Sequence, residues 1–500
     1  MSRPPPTLFP VLPVTRGSPP RPLHDASSTR ALEAAALAAH PPHTLMARAG
    51  LAVARLALAA WPSARRVLAL AGPGNNGGDA LVAARCLHQQ GLLVQVVLLA
   101  DPGRLPADAA WALAAAQAAG VPIRSDLGAL EPTDMVLDGL LGLGASRAPG
   151  GALADAVRWL NAGTTPVLAI DLPSGLDGDR GTALGPQAVR ASHTLALLTL
   201  KPGLFTAQGR DHAGRVWLDT LGLPSADGNA LSLIGAAAPG AAPHASHKGR
   251  FGDLFVVGGA AGMAGAARLA GHAGLAAGAG RVYLGLLDDI AQPDLGRPEL
   301  MNRPIDDLLQ ATALQQRTLV LGCGGGEAVR PRLPAALAHA ARLVLDADAL
   351  NAIAAEPDLR QALVARGRHQ RPTVLTPHPL EAARLLQSSV AAVQADRLAA
   401  ARQLATELGC VVVLKGSGTV IAQPDGRCAV NATGNARLAT AGTGDVLAGW
   451  IGGLWARHEA DAAEVAAAAV WRHGLAAEKT TGGGDGPLLA ADLVAAMQRV

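Results

Sequence analysis

One phrase recurs along this chain and constrains its fold more than anything else: a short apolar run, a glycine-rich turn, then a helix-length stretch. RRVLALAG leads through PGNNGG into DALVAARCLHQQ, and LLVQVVLLA, MVLDGLLG, PVLAIDLP and HTLALLTLK repeat the rhythm. It returns in DLFVVGGAAGMAG, RTLVLGCGGG, RLVLDADALN, PTVLTPHPLEAARLL and CVVVLKGSGTVIA. Runs this short and uniformly apolar suit strands buried on both faces, as parallel sheets covered by helices are. The predicted class is α/β, with mostly parallel sheets layered with helices.

A chain of 500 residues exceeds what one hydrophobic core usually serves, so two domains are expected. The text from Leu223 to Lys248, LPSADGNALSLIGAAAPGAAPHASHK, has linker composition and sets the boundary near residue 230, giving 1–230 and 231–500. Residues 1 to about 25 are broken by prolines and read as an irregular lead-in. Helices are expected over STRALEAAALAAH and over Thr44 to Ala60. With only 2% aromatic residues, the cores must be built from Ala, Val and Leu, with close helix contacts.

A formal net charge of +3 is near balance, and no Lys/Arg run is interleaved with aromatics, so nucleic acid is not an implied partner. Cys86, Cys323, Cys410 and Cys428 lie far apart and form no CxxC pair. That argues against structural zinc and disulfides and for a reducing cytoplasm. No signal peptide or membrane span is expected.

Two turns carry chemistry. The first, Gly72-Pro73-Gly74-Asn75-Asn76-Gly77-Gly78-Asp79, formally contains GxGxxG, with Asp101 ending the next strand, which suggests a Rossmann-type dinucleotide loop. Asn75, Asn76 and Asp79 add oxygen groups able to hold a ligand or cation. Asp79 alone reads equally well as a helix cap. Asp138, Asp171 and Ser174 end other strands, where ligands of parallel sheets gather.

The second turn, Ala441-Gly442-Thr443-Gly444-Asp445, lies within NATGNARLATAGTGDVLAGW, Asn431 to Trp450, just before a helix. Its amides and the helix N-terminus can stabilise a phosphoryl group in flight, while Asp445 can accept a hydroxyl proton. A capping aspartate is the plainer reading of Asp445 alone. Lys415-Gly416-Ser417-Gly418-Thr419 follows the strand CVVVLK, and neither string is a Walker A motif. Taken singly, Lys415 could be solvated and His378 a strand-end surface residue.

In combination the motifs are specific. NNGGD, LDGLLGLG, IDLPSGLDGDRG and LKPGL, in that order from Leu45 to Leu204, closely resemble the NAD(P)H-hydrate epimerase domain. The resemblance implies that Asn76, Asp138 and Ser174 ligate a potassium ion. It also implies that Asn75, Asn76, Gly77, Gly78, Asp79, the loop Gly142, Leu143, Gly144, Ala145, Ser146, Arg147 and Ala148, and Asp171 hold the hydrated dinucleotide. A carboxylate would act as general acid or base, with Asp138 the named candidate and the choice between Asp138 and Asp171 left open. Ala80 departs from the family, which usually has glycine there. The family also includes non-catalytic binding modules, but this chain keeps the aspartates and asparagines.

From Ser246 to Gly483, HKGRFGDLFVVGG, DADALN, TPHPLEAARL, VLKGSGTVI and GTGD resemble the NAD(P)H-hydrate dehydratase branch of the ribokinase-like superfamily. The resemblance implies adenine-nucleotide contacts at Lys415, Gly416, Ser417, Gly418, Thr419 and Gly444, and substrate contacts at Ala264, Gly326, His378 and Asp445, with Asp445 catalytic. GCGGGE, Gly322 to Glu327, departs from a typical GPGLG-like turn, which weakens the assignment of Gly326. The expected fold is a Rossmann-like first domain and a ribokinase-like second one. The expected function is repair of hydrated NADH and NADPH. One domain would interconvert R and S hydrates, and the other would use ADP and magnesium to dehydrate the S form, releasing AMP and phosphate. The chain is expected to form a homo-oligomer. The alternatives are a ribokinase-like kinase of a small vitamin precursor fused to a nucleotide-binding scaffold and, more remotely, a dehydrogenase. Sequence physics does not separate ADP from ATP, or NADH hydrate from NADPH hydrate.

Overall fold

The computed structural model describes residues 9–15, 17–128, 130–224, 230–236, 244–288, 294, 296–480 and 486–500. The chain divides into two compact units, one built mainly from Pro22–Asn229 and the other mainly from Ala230–Val500. Both are α/β, as the sequence rhythm requires.

In the first unit the sheet lies in the order Leu12–Pro13, Arg215–Asp219, His193–Leu197, Val167–Ile170, Met135–Gly139, Arg66–Ala71, Leu93–Leu98, Ile123–Arg124. All neighbours are parallel except the outer pair Leu12–Pro13 and Arg215–Asp219. The order reverses at Arg66–Ala71, which has Leu93–Leu98 on one side and Met135–Gly139 on the other. Such a reversal opens a crevice at the carboxyl ends of the strands. The helix Thr44–Ala60 packs on Asn75–Gln89 through small residues, and a side chain at Gly50 would strike Val82.

In the second unit the order is Met301–Asn302, Arg281–Leu286, Asp253–Gly258, Thr318–Leu321, Arg342–Leu345, Thr373–Leu375, Val411–Leu414, Val420–Ala422, Cys428–Val430, Leu231–Leu233, Arg21–Pro22. Here the reversal falls between Asp253–Gly258 and Thr318–Leu321. Val420–Ala422 is antiparallel to both its neighbours. The helix Thr443–Arg457 meets Ala264–Ala276 nearly backbone to backbone: side chains at Gly449 and Gly453 would collide with Ala270 and Gly274. Trp450 and Trp455, each 1% exposed, anchor its other face in the core. That packing fixes where the helix begins, and so where Asp445 stands.

The linker expected from Leu223 to Lys248 lies outside the described residues at 225–229 and 237–243. Between them Leu231–Leu233 is a strand parallel to Cys428–Val430, so part of the linker-like text is sheet. Three residues of alternating Leu and Ser are too short for periodicity to reveal. The lead-in lies outside the described residues at 1–8 and 16, and its remainder supplies the edge strand Leu12–Pro13. Among the described residues no helix is long and apolar enough to cross a membrane.

Candidate functional site

The first crevice is lined by the start of the Asn75–Gln89 helix. Gly74 occupies its N-cap position without a side-chain cap, so Asp79 sits a full turn inside the helix and the capping reading of it fails. The glycines are needed for close approach, since a Cβ on Gly77 would collide with the Gly72 carbonyl. Asn75 is exposed, Asn76 and Asp79 half-buried, and Gly77 and Gly78 buried. Burial, followed by the negative charges of Asp171, Glu33 and Asp108, pushes the Asp79 carboxyl well above the usual range. Ala80 is fully buried, and a Cβ on Gly139 would stand 2.5 Å from its methyl group.

Asn76, Asp138 and Ser174 come together although they lie far apart in sequence. Ser174 Oγ donates to Asp138 Oδ1 at 2.6 Å, and the Ser174 amide donates to Oδ2 at 2.9 Å. The Leu140 amide reaches Oδ1 at 3.3 Å, and Asn76 Nδ2 donates to the Leu141 carbonyl at 3.0 Å. Asp138 is fully buried, and desolvation raises its carboxyl to about 6 against the pull of these bonds. A Cβ on Gly142 would come within 3.1 Å of the Asn76 amide carbon, so the loop from Gly142 closes over the group. Of that loop, Gly142, Leu143 and Ala145 are half-buried, while Gly144, Ser146, Arg147 and Ala148 are exposed.

Asp171 ends the Val167–Ile170 strand in the left-handed region, at φ 66°, a conformation that costs a non-glycine residue about 1 kcal/mol or more. Its carboxylate pairs with the Lys201 ammonium, which the site reading of the sequence missed. LKPGL was visible as a motif, but nothing in one sequence shows that its lysine turns inward.

In the second crevice, Lys415 Nζ and Thr376 Oγ1 donate to Asp346 Oδ1 at 2.7 and 2.6 Å. Ligand atoms of Cys323, Asp346 and Asp445 lie within 4.8 Å of one another. Asp445 occupies the first turn of Thr443–Arg457, entered through Gly442 at φ 89°. Burial and the neighbouring Asp346 raise its carboxyl to about 6. A Cβ on Gly444 would stand 3.3 Å from Lys415 Nζ, so the ammonium reinforces the helix N-terminus as an anion site. Lys415 is therefore no freely solvated lysine. Burial pulls its ammonium down, but Asp346 and Glu381 outweigh that and raise it.

The turn Lys415 to Thr419 is braced from behind by the buried Arg397, which donates to the Leu414 and Lys415 carbonyls, both at 3.1 Å. Gly416 and Ser417 are exposed, Gly418 is buried, and Thr419 Oγ1 donates to the Gly416 carbonyl at 3.2 Å. Gly326 donates its amide to Asp348 Oδ2 at 2.8 Å, and a Cβ there would lie 3.2 Å from Met263 Cε, just before Ala264. His378 caps the Pro379–Leu385 helix: its Nδ1 accepts from the Leu380 and Glu381 amides at 3.1 and 3.3 Å, and Glu381 Oε2 accepts from the His378 amide at 2.7 Å. Burial lowers the imidazole and raises the Glu381 carboxyl to about 7. Asp346, Cys323 and Glu381 went unassigned in the sequence reading, although Asp346 ends a strand as Asp138 does.

Fold and site together define a two-unit α/β protein with one crevice lined by Asn76, Asp79, Asp138 and Asp171, and another in which a glycine turn and helix start stand beside Lys415 and Asp445. Residues 42–203 match the family model of the YjeF-related protein N-terminus, and residues 254–499 match that of NAD(P)H-hydrate dehydratase. The bifunctional NAD(P)H-hydrate repair enzyme of Escherichia coli (strain K12) is 38% identical over 472 residues, covering 92% of this chain and 89% of that one. That of Leishmania braziliensis is 37% identical over 474 residues, covering 87% and 84%. A solved ADP/ATP-dependent NAD(P)H-hydrate dehydratase from Bacillus subtilis, co-crystallised with ATP/Mg2+, shares 33% identity with a TM-score of 0.44, covering 52% of this chain and 92% of that one. The chain belongs to the bifunctional NAD(P)H-hydrate repair enzyme family.

Proposed function

We propose that this protein restores hydrated NADH and NADPH, with an epimerase in 1–230 and an ADP-dependent dehydratase in 231–500. The first interconverts the R and S hydrates; the second returns the S hydrate to the reduced cofactor. The observation that carries the reading is Asp445, a raised carboxyl at a glycine-flanked helix start beside the Lys415 ammonium. A base and an anion site in one turn suit phosphoryl transfer to a hydroxyl group.

Asp445 takes the proton of the substrate hydroxyl as its oxygen attacks the terminal phosphorus of ADP, with Lys415 and the amides of the Gly442 turn stabilising the charge. The ring nitrogen then expels phosphate, and loss of a proton from the adjacent carbon restores the dihydropyridine, leaving AMP and phosphate. Magnesium bound with the nucleotide would supply positive charge against its phosphates. Lys415 to Thr419 and Gly444 hold the nucleotide, while Ala264, Gly326 and His378 line the hydrated ring.

In the first crevice Asn76, Asp138 and Ser174, an all-oxygen donor set beside the Leu141 carbonyl, fit a potassium ion. Bound there, the cation would supply fixed positive charge for the dinucleotide. Asn75 to Asp79, Gly142 to Ala148 and Asp171 contact the substrate. The four cysteines, all unpaired, suit the reducing cytoplasm.

Incubation with hydrated NADH, ADP and magnesium tests this directly. Reduced-nicotinamide absorbance returns with release of AMP and phosphate. A stable phosphorylated product instead would identify a small-molecule kinase, and no change would defeat the dehydratase.

A further inference from the structure

We infer that Asp171 is the base of the first site and that Lys201 is the positioning residue that holds it ready. The inference rests on the epimerase reading above and settles which of the two aspartates, Asp138 or Asp171, moves the proton.

The two carboxylates are held in opposite ways. Both oxygens of Asp138 are engaged, Oδ1 by Ser174 Oγ and the Leu140 amide, Oδ2 by the Ser174 amide, and the residue is fully buried. The acceptor capacity that remains, on the buried Oδ2, faces the Ser174 cage and belongs to the cation site rather than to a substrate hydroxyl. Asp171 is bound through one oxygen: Oδ1 takes the Lys201 ammonium and the Leu197 amide at 3.2 Å, while among the described residues Oδ2 accepts no hydrogen bond. Its left-handed backbone is a conformation that persists only where the surroundings impose it, and such residues gather at active sites.

Lys201 is the imposing group. Its side chain is 1% exposed, and its three donors are consumed by Asp171, the Leu197 carbonyl at 2.8 Å and the Thr199 carbonyl at 3.1 Å. With none left for a ligand, it acts through Asp171.

The step balances within the substrate. Asp171 takes the hydroxyl proton, and the oxygen pair forms a carbonyl as the bond from that carbon to the ring nitrogen breaks. The released pair moves onto nitrogen and into the conjugated carboxamide. Rotation about the adjacent carbon–carbon bond presents the other face, the nitrogen adds back, and Asp171 returns the proton to oxygen.

The test follows R/S exchange by the full chain at saturating potassium without ADP, separating the epimers by chromatography. Asp171→Asn lowers kcat by about a hundredfold or more with KM unchanged, and formate restores part of the rate to Asp171→Ala. Lys201→Met lowers kcat by roughly tenfold or more with KM unchanged, and Lys201→Arg recovers part of it. Unimpaired exchange by Asp171→Asn, or a Lys201→Met protein with a lower melting temperature and an intact kcat, overturns the inference alone. Absence of exchange by the unaltered protein overturns it together with the epimerase reading.

Discussion

The two crevices stand at equivalent places, each at the carboxyl ends of strands where the sheet order reverses, and each sets carboxylates around one buried lysine, but the lysine is spent differently. The first gathers Asp79, Asp138 and Asp171 with one fully saturated lysine. The second sets a helix N-terminus beside Lys415, whose ammonium pairs with Asp346 and still lies next to Gly444. A shared architecture therefore dictates where a ligand sits, and the side chains at the strand ends dictate which chemistry it meets there.

Independence of the two sites is the sharpest consequence. Asp445→Asn removes the base but keeps its shape, and dehydration of the S hydrate should fall by about 10²–10⁴-fold. Epimer exchange should continue at its normal rate. Coupled loss of both activities in a folded protein would break the comparison at its root. The converse variant, Asp138→Asn, exchanges an acceptor for a donor inside the Ser174 cage. The potassium concentration giving half-maximal exchange should rise by roughly tenfold or more, while dehydration with potassium held constant stays unchanged.

A smaller effect tests the second site by pH. The Asp445 carboxyl is raised to about 6, so it is ionised and able to accept a proton above that value and is increasingly protonated below it. The dehydratase kcat should therefore fall as pH drops through about 6, by about tenfold per unit once well below. A dehydratase profile flat from pH 7 down to 5 would remove Asp445 from the role of base.

Much of this was legible in the sequence, and what was not has identifiable causes. The apolar strands and the Thr44–Ala60 helix follow from periodicity alone, because burial on both faces leaves few other compositions. Asp138 and Ser174 could be named from their strand ends but joined only through the family resemblance, since 36 residues separate them and it is the sheet order that brings them together. Lys201 and Asp346 were hidden for a different reason: each is buried through a partner distant in sequence, Asp171 and Lys415, and a single charged residue carries no mark of its pairing. The helix start at Asn75 also moved Asp79 from a cap to an interior turn, a distinction of a few residues that pattern reading does not resolve.

Ala80 offers the smallest and cleanest separation of fold from chemistry. It stands next to Asp79, with its methyl group buried against Gly139. Ala80→Gly would remove that contact and loosen a helix interior, at a cost of about 1 kcal/mol in unfolding free energy. The helix start, Asn76 and the Ser174 cage are held by bonds that do not involve Ala80, so exchange should be unchanged at temperatures well below unfolding. Chemical denaturation read against exchange kinetics makes the distinction. A kcat that falls while stability holds would mean that the methyl group sets the position of Asp79, and that packing and chemistry in the first crevice are less separable than in the second.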